Sequence, residues 1–437
     1  MLRKLVSCVL FSILLTSILI VAITIPAKSQ DTITVPDDYP TIQDAINAAT
    51  DGDTVFVRNG TYYENVIVDK TVSLVGEDKT ETIVNGNGSG NVMEILASSV
   101  QMSKFTVRNG SEYYPGSGII IDHATSCIIS NCLLINNRDG ISLFYSSDNT
   151  LENNDFLNNS RGGHGIRLDG SSNNFIVNNR IISNNMYGIF LYDSSNNTVA
   201  GSILRDNEYG IVVQLSGHNG IYGNNISKSR FGIDLSYTSA NGISENVVSE
   251  SSWSGIYIAS SSSNNITRNT VRNSTYGFDF GSTGIQNYLA ENNILENEVG
   301  IWIRNISNNN TIIHSNFVNN SKQIQSNGTV NFWNNGCEGN YWSNYNGSDL
   351  DNDGVGDEYL PWEGVDSYPL MSSYMSGDIN HDAIVDIFDV VKIAVVFGCS
   401  SADPQWNPHC DVNEDGLIDI FDLVTVAVNF GKEWTPP

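Results

Sequence analysis

Residues 187–235 read YGIFLYDSSNNTVAGSILRDNEYGIVVQLSGHNGIYGNNISKSRFGIDL. In this stretch Gly-Ile opens a short apolar segment at Gly188, Gly210 and Gly232. Working outward, Gly-Ile or Gly-Phe recurs at Gly118, Gly140, Gly165, Gly255, Gly277 and Gly300, in steps of 22 to 25 residues. A fixed period in that range marks a stack of like structural units. One and three residues after each glycine stand large apolar side chains, such as Ile119 and Ile121, Ile189 and Leu191, Phe278 and Phe280. Positions two and four vary. Alternation with period two means a strand with one buried face.

A second strand is expected before each of these, as in Asn174-Phe-Ile-Val-Asn-Asn-Arg-Ile-Ile182. It ends in Asn at Asn154, Asn179, Asn224, Asn246, Asn269, Asn292 and Asn316. Asn tolerates left-handed turns, and its amide can bond the same amide one coil away. No segment of the repeat has a helical period. The predicted fold class is therefore mainly β, a right-handed parallel β-helix solenoid with coils about 4.8 Å apart. Each coil adds four or five inward aliphatics, roughly 10 kcal/mol of gross burial before chain entropy is subtracted.

The formal net charge of the 437-residue chain is −27, although only 16% of residues are charged. Lys and Arg are scarce, which excludes nucleic acid as a natural partner because phosphate binding needs a basic face. Arg3 and Lys4 precede an apolar run from Leu5 to Ile25, and Ala27-Lys28-Ser29 offers small residues for a peptidase. Residues 1–29 are expected to be a secretory signal, or a membrane anchor if uncleaved. Frequent Asn-x-Ser/Thr sites, among them Asn59, Asn196 and Asn346, fit an exported, secreted or cell-surface protein.

Residues 31–330 are assigned to the solenoid. Thr41-Ile-Gln-Asp-Ala-Ile-Asn-Ala-Ala49 reads as a short amphipathic helix capping its open end, with Thr41 as N-cap. This opening and the repeats resemble the NosD-like and pectin-lyase-like β-helix proteins. The resemblance implies the fold; its members include lyases, hydrolases, epimerases and binders, so it leaves activity open. It also suggests copper, but the six His and six Met show no paired ligands in the sequence.

Residues 331–371 are aromatic, with Phe332, Trp333, Tyr341, Trp342, Tyr345, Tyr359, Trp362 and Tyr368, and are expected to seal the last coil. Within them Asp349, Asp351, Asp353 and Asp357, with a glycine after the third, have the look of a calcium loop. Residues 377–432 hold two copies of one pattern. Oxygen ligands fall at Asp378, Asn380, Asp382, Asp386 and Asp389, and again at Asp411, Asn413, Asp415, Asp419 and Asp422. Backbone carbonyls are available at Ile384 and Leu417. That is EF-hand spacing for Ca2+ with Asp at the twelfth position. Crowded carboxylates need a cation, so the module is expected to fold with calcium. Each loop runs into one apolar helix, 387–397 and 420–430, with none entering. A duplicated loop–helix of this kind resembles a type I dockerin, which implies a cohesin-type partner. The chain departs from that pattern at Ala383, where position six is usually Gly. It departs again at Ile387-Phe388 and Ile420-Phe421, where dockerins often carry Ser or Thr.

Cys399 and Cys410 bracket a short loop, as a disulfide in an exported protein would, whereas pairing of Cys127 and Cys132 stays open. The outward rows of the repeat are where chemistry is sought. Phe190, Tyr192, Tyr257 and Trp302 stand beside acids, an arrangement suited to sugar rings. Asp234 and Asp279 lie two coils apart, about 9–10 Å, at the upper limit for an inverting glycosidase pair. Arg167, Asp169 and His164 form a second polar group. No family motif matches either set. The leading expectation is a non-catalytic polysaccharide-binding protein docked through its tail. A polysaccharide lyase or glycoside hydrolase is the alternative, and a surface-layer spacer a third.

Overall fold

In the computed structural model, which describes residues 30–159, 163–304, 306–327, 330–413 and 415–435, the repeats wind into a right-handed parallel β-solenoid. The expected leader at 1–29 lies outside the described residues. Three sheets of 13, 12 and 13 strands run along the solenoid, and every pairing within them is between strands of successive coils. Register follows the glycines: Ile189 pairs with Ile211, Ile211 with Ile233, and Ile233 with Ile256.

Each coil has three strands, not two. The segment 174–182 divides into Phe175–Val177 and Arg180–Ile182, which belong to different sheets. Asn178 takes φ 55 between them and turns the chain through a corner. The Asn residues expected to end one strand thus make the corner between two, except Asn316, which opens the strand Asn316–Val318 while Ser315 takes the corner. Three-residue strands carry too little alternation to reveal that break.

The core is the inward set. Ile119, Ile121, Ile189, Leu191, Phe278 and Phe280 are all 0% exposed. Asparagine ladders close the corners. The Asn174 amide nitrogen donates to Asn197 Oδ1 at 3.1 Å, and that of Asn197 to Asn219 Oδ1 at 3.2 Å. Similar chains run through Asn224, Asn246 and Asn269 and through Asn159, Asn184 and Asn207. Backbone N–H groups donate into the same Oδ1 atoms, so these buried amides are satisfied. The glycine row exists because coils approach closely: a Cβ on Gly188 would stand 2.6 Å from the Gly210 carbonyl oxygen.

The helix Ile42–Ala48 caps the first coil, as expected, with Thr41 Oγ1 accepting from the Asp44 N–H at 3.0 Å. It buries Ile42, Ala45 and Ile46. The next coil closes both its ends. Glu64 accepts from the N–H groups of Ile42 and Gln43, and Lys70 Nζ donates to the carbonyls of Ile46, Asn47 and Ala49. At the far end Phe317, Trp342 and Trp362 stack with ring centroids 4.2 and 4.1 Å apart. Phe332 and Tyr359, by contrast, are exposed.

Beyond the solenoid, helices Ile387–Val395 and Ile420–Asn429 pack around a separate core of Ile379, Val385, Ile393, Cys410, Ile418 and Val426. Each begins with a reciprocal capping box, Asp386 with Asp389 and Asp419 with Asp422. Cys399 and Cys410 are free thiols, so the disulfide that their spacing allowed is not formed. Cys410 is buried in the module core and its thiol is pushed up to about 11 by that burial, while the Cys399 carbonyl pairs with the Ile418 N–H. Cys127 and Cys132 face the solenoid core on opposite sides of the strand Ile128–Ser130. Their N–H groups donate to Asn149 and Asn154, so they continue two asparagine ladders.

Candidate functional site

The sheet built from the Gly-Ile strands carries three outward rows. In the middle row Val212, Asp234, Tyr257, Asp279 and Trp302 are successive register partners. Tyr257 therefore lies between two carboxylates. Asp234 is 9% exposed, accepts from Ser236 Oγ, and burial pushes its carboxyl up to about 6. Asp279 is 0% exposed and takes both guanidinium arms of Arg304, at 3.0 and 2.8 Å, with Ser254 Oγ at 3.0 Å. Burial raises its carboxyl, and Arg304 and Ser254 pull it back. Arg304 lies 3.8 Å above the Trp302 ring. The Tyr257 ring packs over Gly281, where any Cβ would collide with it, and burial raises its hydroxyl.

The register places Asp234 and Asp279 two coils apart, about 9.6 Å. That separation is just beyond the range of an inverting glycosidase pair. The pair's environments also differ, since Asp279 is enclosed by Arg304 and Ser254.

The row one residue before the glycines is aromatic. His164, Tyr187, Tyr209 and Phe231 are successive partners, and Tyr209 stacks on Phe231 at 5.1 Å. His164 sits against Tyr187 and Phe190, and burial lowers its pKa, holding the imidazole neutral. Phe190 contacts Tyr192 at 5.8 Å, and through Tyr187, Tyr209 and Phe231 the rings run on to Tyr257, while Trp302 packs on Tyr276. Arg167 pairs with Asp169 at 2.7 Å and lies over Phe144. His164 is thus separate from that pair and packs among rings instead. Three buried polar atoms on this face, His164 Nδ1, Arg167 Nε and Trp302 Nε1, have no hydrogen-bond partner. Buried polar groups are ordinarily bonded, so these three atoms are unsatisfied beneath the face.

Each arginine of the face is matched by a carboxylate: Arg138 by Asp139, Arg167 by Asp169, Arg230 by Glu208, Arg304 by Asp279. Sequence reading singled out the aromatic and acidic rows, and missed Ser254 and the enclosing role of Arg304. The alternation that reveals an outward row says nothing about which outward side chains then cover one another.

The two tail loops repeat each other in detail. Asp378 accepts from the N–H groups of Asp382 and Ala383, and Asp411 from those of Asp415 and Gly416. Asp389 accepts from Ile379, Asn380 and Asp386, and Asp422 from Asn413 and Asp419. Asn380 and Asn413 donate to Asp382 and Asp415. Burial pushes the Asp378 carboxyl up to about 6 and raises that of Asp411. These carboxylates are occupied by N–H groups of their own loops, and among the described residues no three of either loop bring ligand oxygens within 4.8 Å of one another. Ala383 takes φ 68 where its counterpart Gly416 takes φ 84, so the alanine stands in the left-handed region. The Ile384 and Leu417 segments bridge to the chain at Glu433 and Ser400 respectively. In the third loop carboxylate oxygens of Asp349, Asp351 and Asp353 come within 4.8 Å of one another, and Asp357 bonds the Leu350 N–H instead. Asp351 is raised chiefly by Asp353.

A parallel β-solenoid with an aromatic, carboxylate-bearing face is the class these features define. The model of the NosD family, described as periplasmic copper-binding protein, matches residues 46–231 and 204–347, and the chain belongs to that family. A mannuronan C5-epimerase of Pseudomonas putida is 27% identical over 140 residues, which span 31% of this chain and 26% of that protein. Among solved structures, the A-module of the Azotobacter vinelandii mannuronan C-5 epimerase AlgE6 aligns with a TM-score of 0.58 at 15% identity, covering 66% of this chain and 93% of the module. The catalytic domain of a GH87 alpha-1,3-glucanase in complex with tetrasaccharides aligns at 0.50 with 13% identity, over 70% of this chain and 68% of that one. Dettilon tailspike protein aligns at 0.51 with 12% identity, over 69% and 68%. These likenesses establish the fold.

Copper does not fit the matched solenoid. Among its described residues no three His, Cys, Asp or Glu donors converge within residues 46–347. The imidazoles that do come together, His314, His381 and His409, straddle the end of that span. No helix among the described residues is long and apolar enough to cross a membrane.

Proposed function

We propose that this is an exported protein, secreted or held at the cell surface, that binds a polysaccharide along the Gly-Ile sheet and docks through its tail. The observation carrying it is the continuous face from His164 to Trp302, with stacked rings and two buried carboxylates. From His164 to Tyr276 is five coil steps, roughly 24 Å, long enough for several sugar units. Rings supply stacking faces, and the acidic and hydroxyl groups beside them supply polar contacts. Because every arginine among the described residues there is neutralised and the chain carries −27, the face favours a neutral glycan over a polyuronate. Binding to neutral glucans, xylan, alginate and pectate, measured by affinity electrophoresis, tests this. Tyr257→Ala and Trp302→Ala should each weaken binding roughly tenfold. Absence of binding to every glycan overturns the proposal, and tighter binding to the polyuronates overturns its charge argument.

The tail loops are proposed to hold Ca2+ through Asp378, Asn380, Asp382, Asp386 and Asp389, and through Asp411, Asn413, Asp415, Asp419 and Asp422. With calcium bound, the helices present two matching exposed apolar faces, Ile387-Phe388-Val391 and Ile420-Phe421-Val424, to a cohesin-type partner. Calcium-dependent capture of such a partner should be lost in Phe388→Asp combined with Phe421→Asp.

A second reading, chemical modification of the bound polymer, is favoured by one feature. Tyr257 lies between a carboxyl near 6 and an arginine-bound carboxylate, a setting suited to proton transfer. Reducing-end, unsaturated-product and solvent-deuterium exchange assays detect hydrolysis, elimination and epimerisation separately. Activity unchanged in both Asp234→Asn and Tyr257→Phe would exclude these residues.

A further inference from the structure

Glu338 lies where the solenoid ends, 7% exposed, and three imidazoles converge on it. His314 Nε2 is 3.1 Å from Glu338 Oε2, and His381 Nε2 is 3.1 Å from Oε1. His409 Nδ1 meets the same Oε1. The donor atoms of Glu338, His381 and His409 all lie within 4.8 Å of one another. These residues line a cavity of about 30 Å³, together with Tyr374, Met375 and Asp378. His314 is 9% exposed, and its Nε2, aimed at this point, makes no hydrogen bond of acceptable geometry.

We propose that His314, His381, His409 and Glu338 bind one divalent transition-metal ion of the Zn2+ or Cu2+ type, and that the ion clamps the tail module to the end of the solenoid. The donor set decides the metal class. Three imidazoles and one carboxylate suit zinc and copper, whereas calcium takes oxygen alone, so this site takes a different ion from the proposed calcium loops, although it adjoins them through His381, Asp378 and Asp411. Tetrahedral ligands around zinc stand about 3.4 Å apart; the donors of Glu338, His381 and His409 lie within 4.8 Å of one another, and His314 Nε2 stands 3.1 Å from Glu338 Oε2, so a small closure would bring it in. Four protein ligands leave no open position, which makes the role structural.

The surroundings are built for those orientations. His409 uses Nδ1, and its Nε2 faces Asp353 Oδ2 at 4.0 Å, as a carboxylate behind a ligating histidine does. His314 is held flat against Tyr374, centroids 4.3 Å apart. The His381 ring packs on Gly354, where a Cβ would stand 2.5 Å from its Cδ2. The four ligands come from both bodies. His314 and Glu338 belong to the solenoid end, and His381 and His409 to the module. Beside the site Asn316 and Tyr374 exchange hydrogen bonds of 3.0 and 2.7 Å, a second link across the same junction. An ion here ties the module's position to the solenoid.

The test is metal titration of the full chain, stripped and then saturated with Ca2+, using Zn2+ and Cu2+ separately. One equivalent should bind, and proteolysis within 371–377 should slow several-fold. The double substitution His381→Ala with His409→Ala should lose both effects, while the solenoid keeps its melting transition. In the unaltered protein Co2+ should give the intense visible absorption of a four-coordinate site. Substoichiometric binding, a weak six-coordinate cobalt spectrum, or unchanged binding in the double variant would each overturn the proposal. The cluster would then be a hydrogen-bonded network only.

Discussion

In the solenoid Ile233 pairs with Ile211 on one side and Ile256 on the other, and like residues continue in both directions. In the tail module Val426 belongs to a buried core of six residues. The first region is stabilised by repetition, since each coil supplies the apolar surface that covers its neighbour. The second has a small core and two loops rich in carboxylates, so it depends less on repeated apolar burial. Redundant burial and, on the calcium proposal, ion-linked folding are thus joined in one chain, and they should respond to different perturbations.

Calcium removal separates them most sharply. Chelation should unfold the module, removing about 4 kcal/mol or more of ligand-linked stability at saturating calcium, and leave the solenoid intact. Calorimetry should show one transition vanish and the other persist; a single transition insensitive to chelator would dissolve the distinction. Phe278→Ala should do the reverse. Its fully buried ring fills a middle coil, so the solenoid should lose about 3–5 kcal/mol while the module's transition stays in place.

A smaller effect lies in pH. Asp234 titrates near 6 in the folded chain against an ordinary 3.8, so folding favours its neutral form. The stability it contributes is fully present below about 4 and is lost as pH rises through about 6, amounting to up to about 3 kcal/mol. Asp234→Asn should flatten the solenoid's stability between those limits, read by denaturant melts. The smallest effect is Ala383→Gly. Relieving a left-handed alanine should contribute about 1 kcal/mol, or roughly fivefold tighter calcium binding in the first loop, bringing it closer to the second. Equal calcium affinity before and after would show that the strain is absorbed elsewhere.

Much of the fold could be read from the chain because solenoid information is one-dimensional. The glycine period, the inward pairs such as Ile189 and Leu191, and the helix capped by Thr41 all lie within a few residues of one another. The aromatic and acidic rows were visible for the same reason. The third strand was not, because Asn178 and Asn179 divide two strands of three residues each, too short to show their own alternation. The free state of Cys410 was not visible either, since loop length does not reveal that its thiol faces a core.

By itself the sequence determined the period, the inward set and the spacing of acids in the tail loops, all properties of neighbouring residues. Tertiary structure alone decided that Asp279 is enclosed by Arg304, that Tyr257 stands between two carboxylates, and that histidines 314, 381 and 409 meet Glu338. Those contacts join segments from different coils and from the two ends of a junction. Their geometry is set by how coils stack and where the tail folds back, which no local pattern encodes.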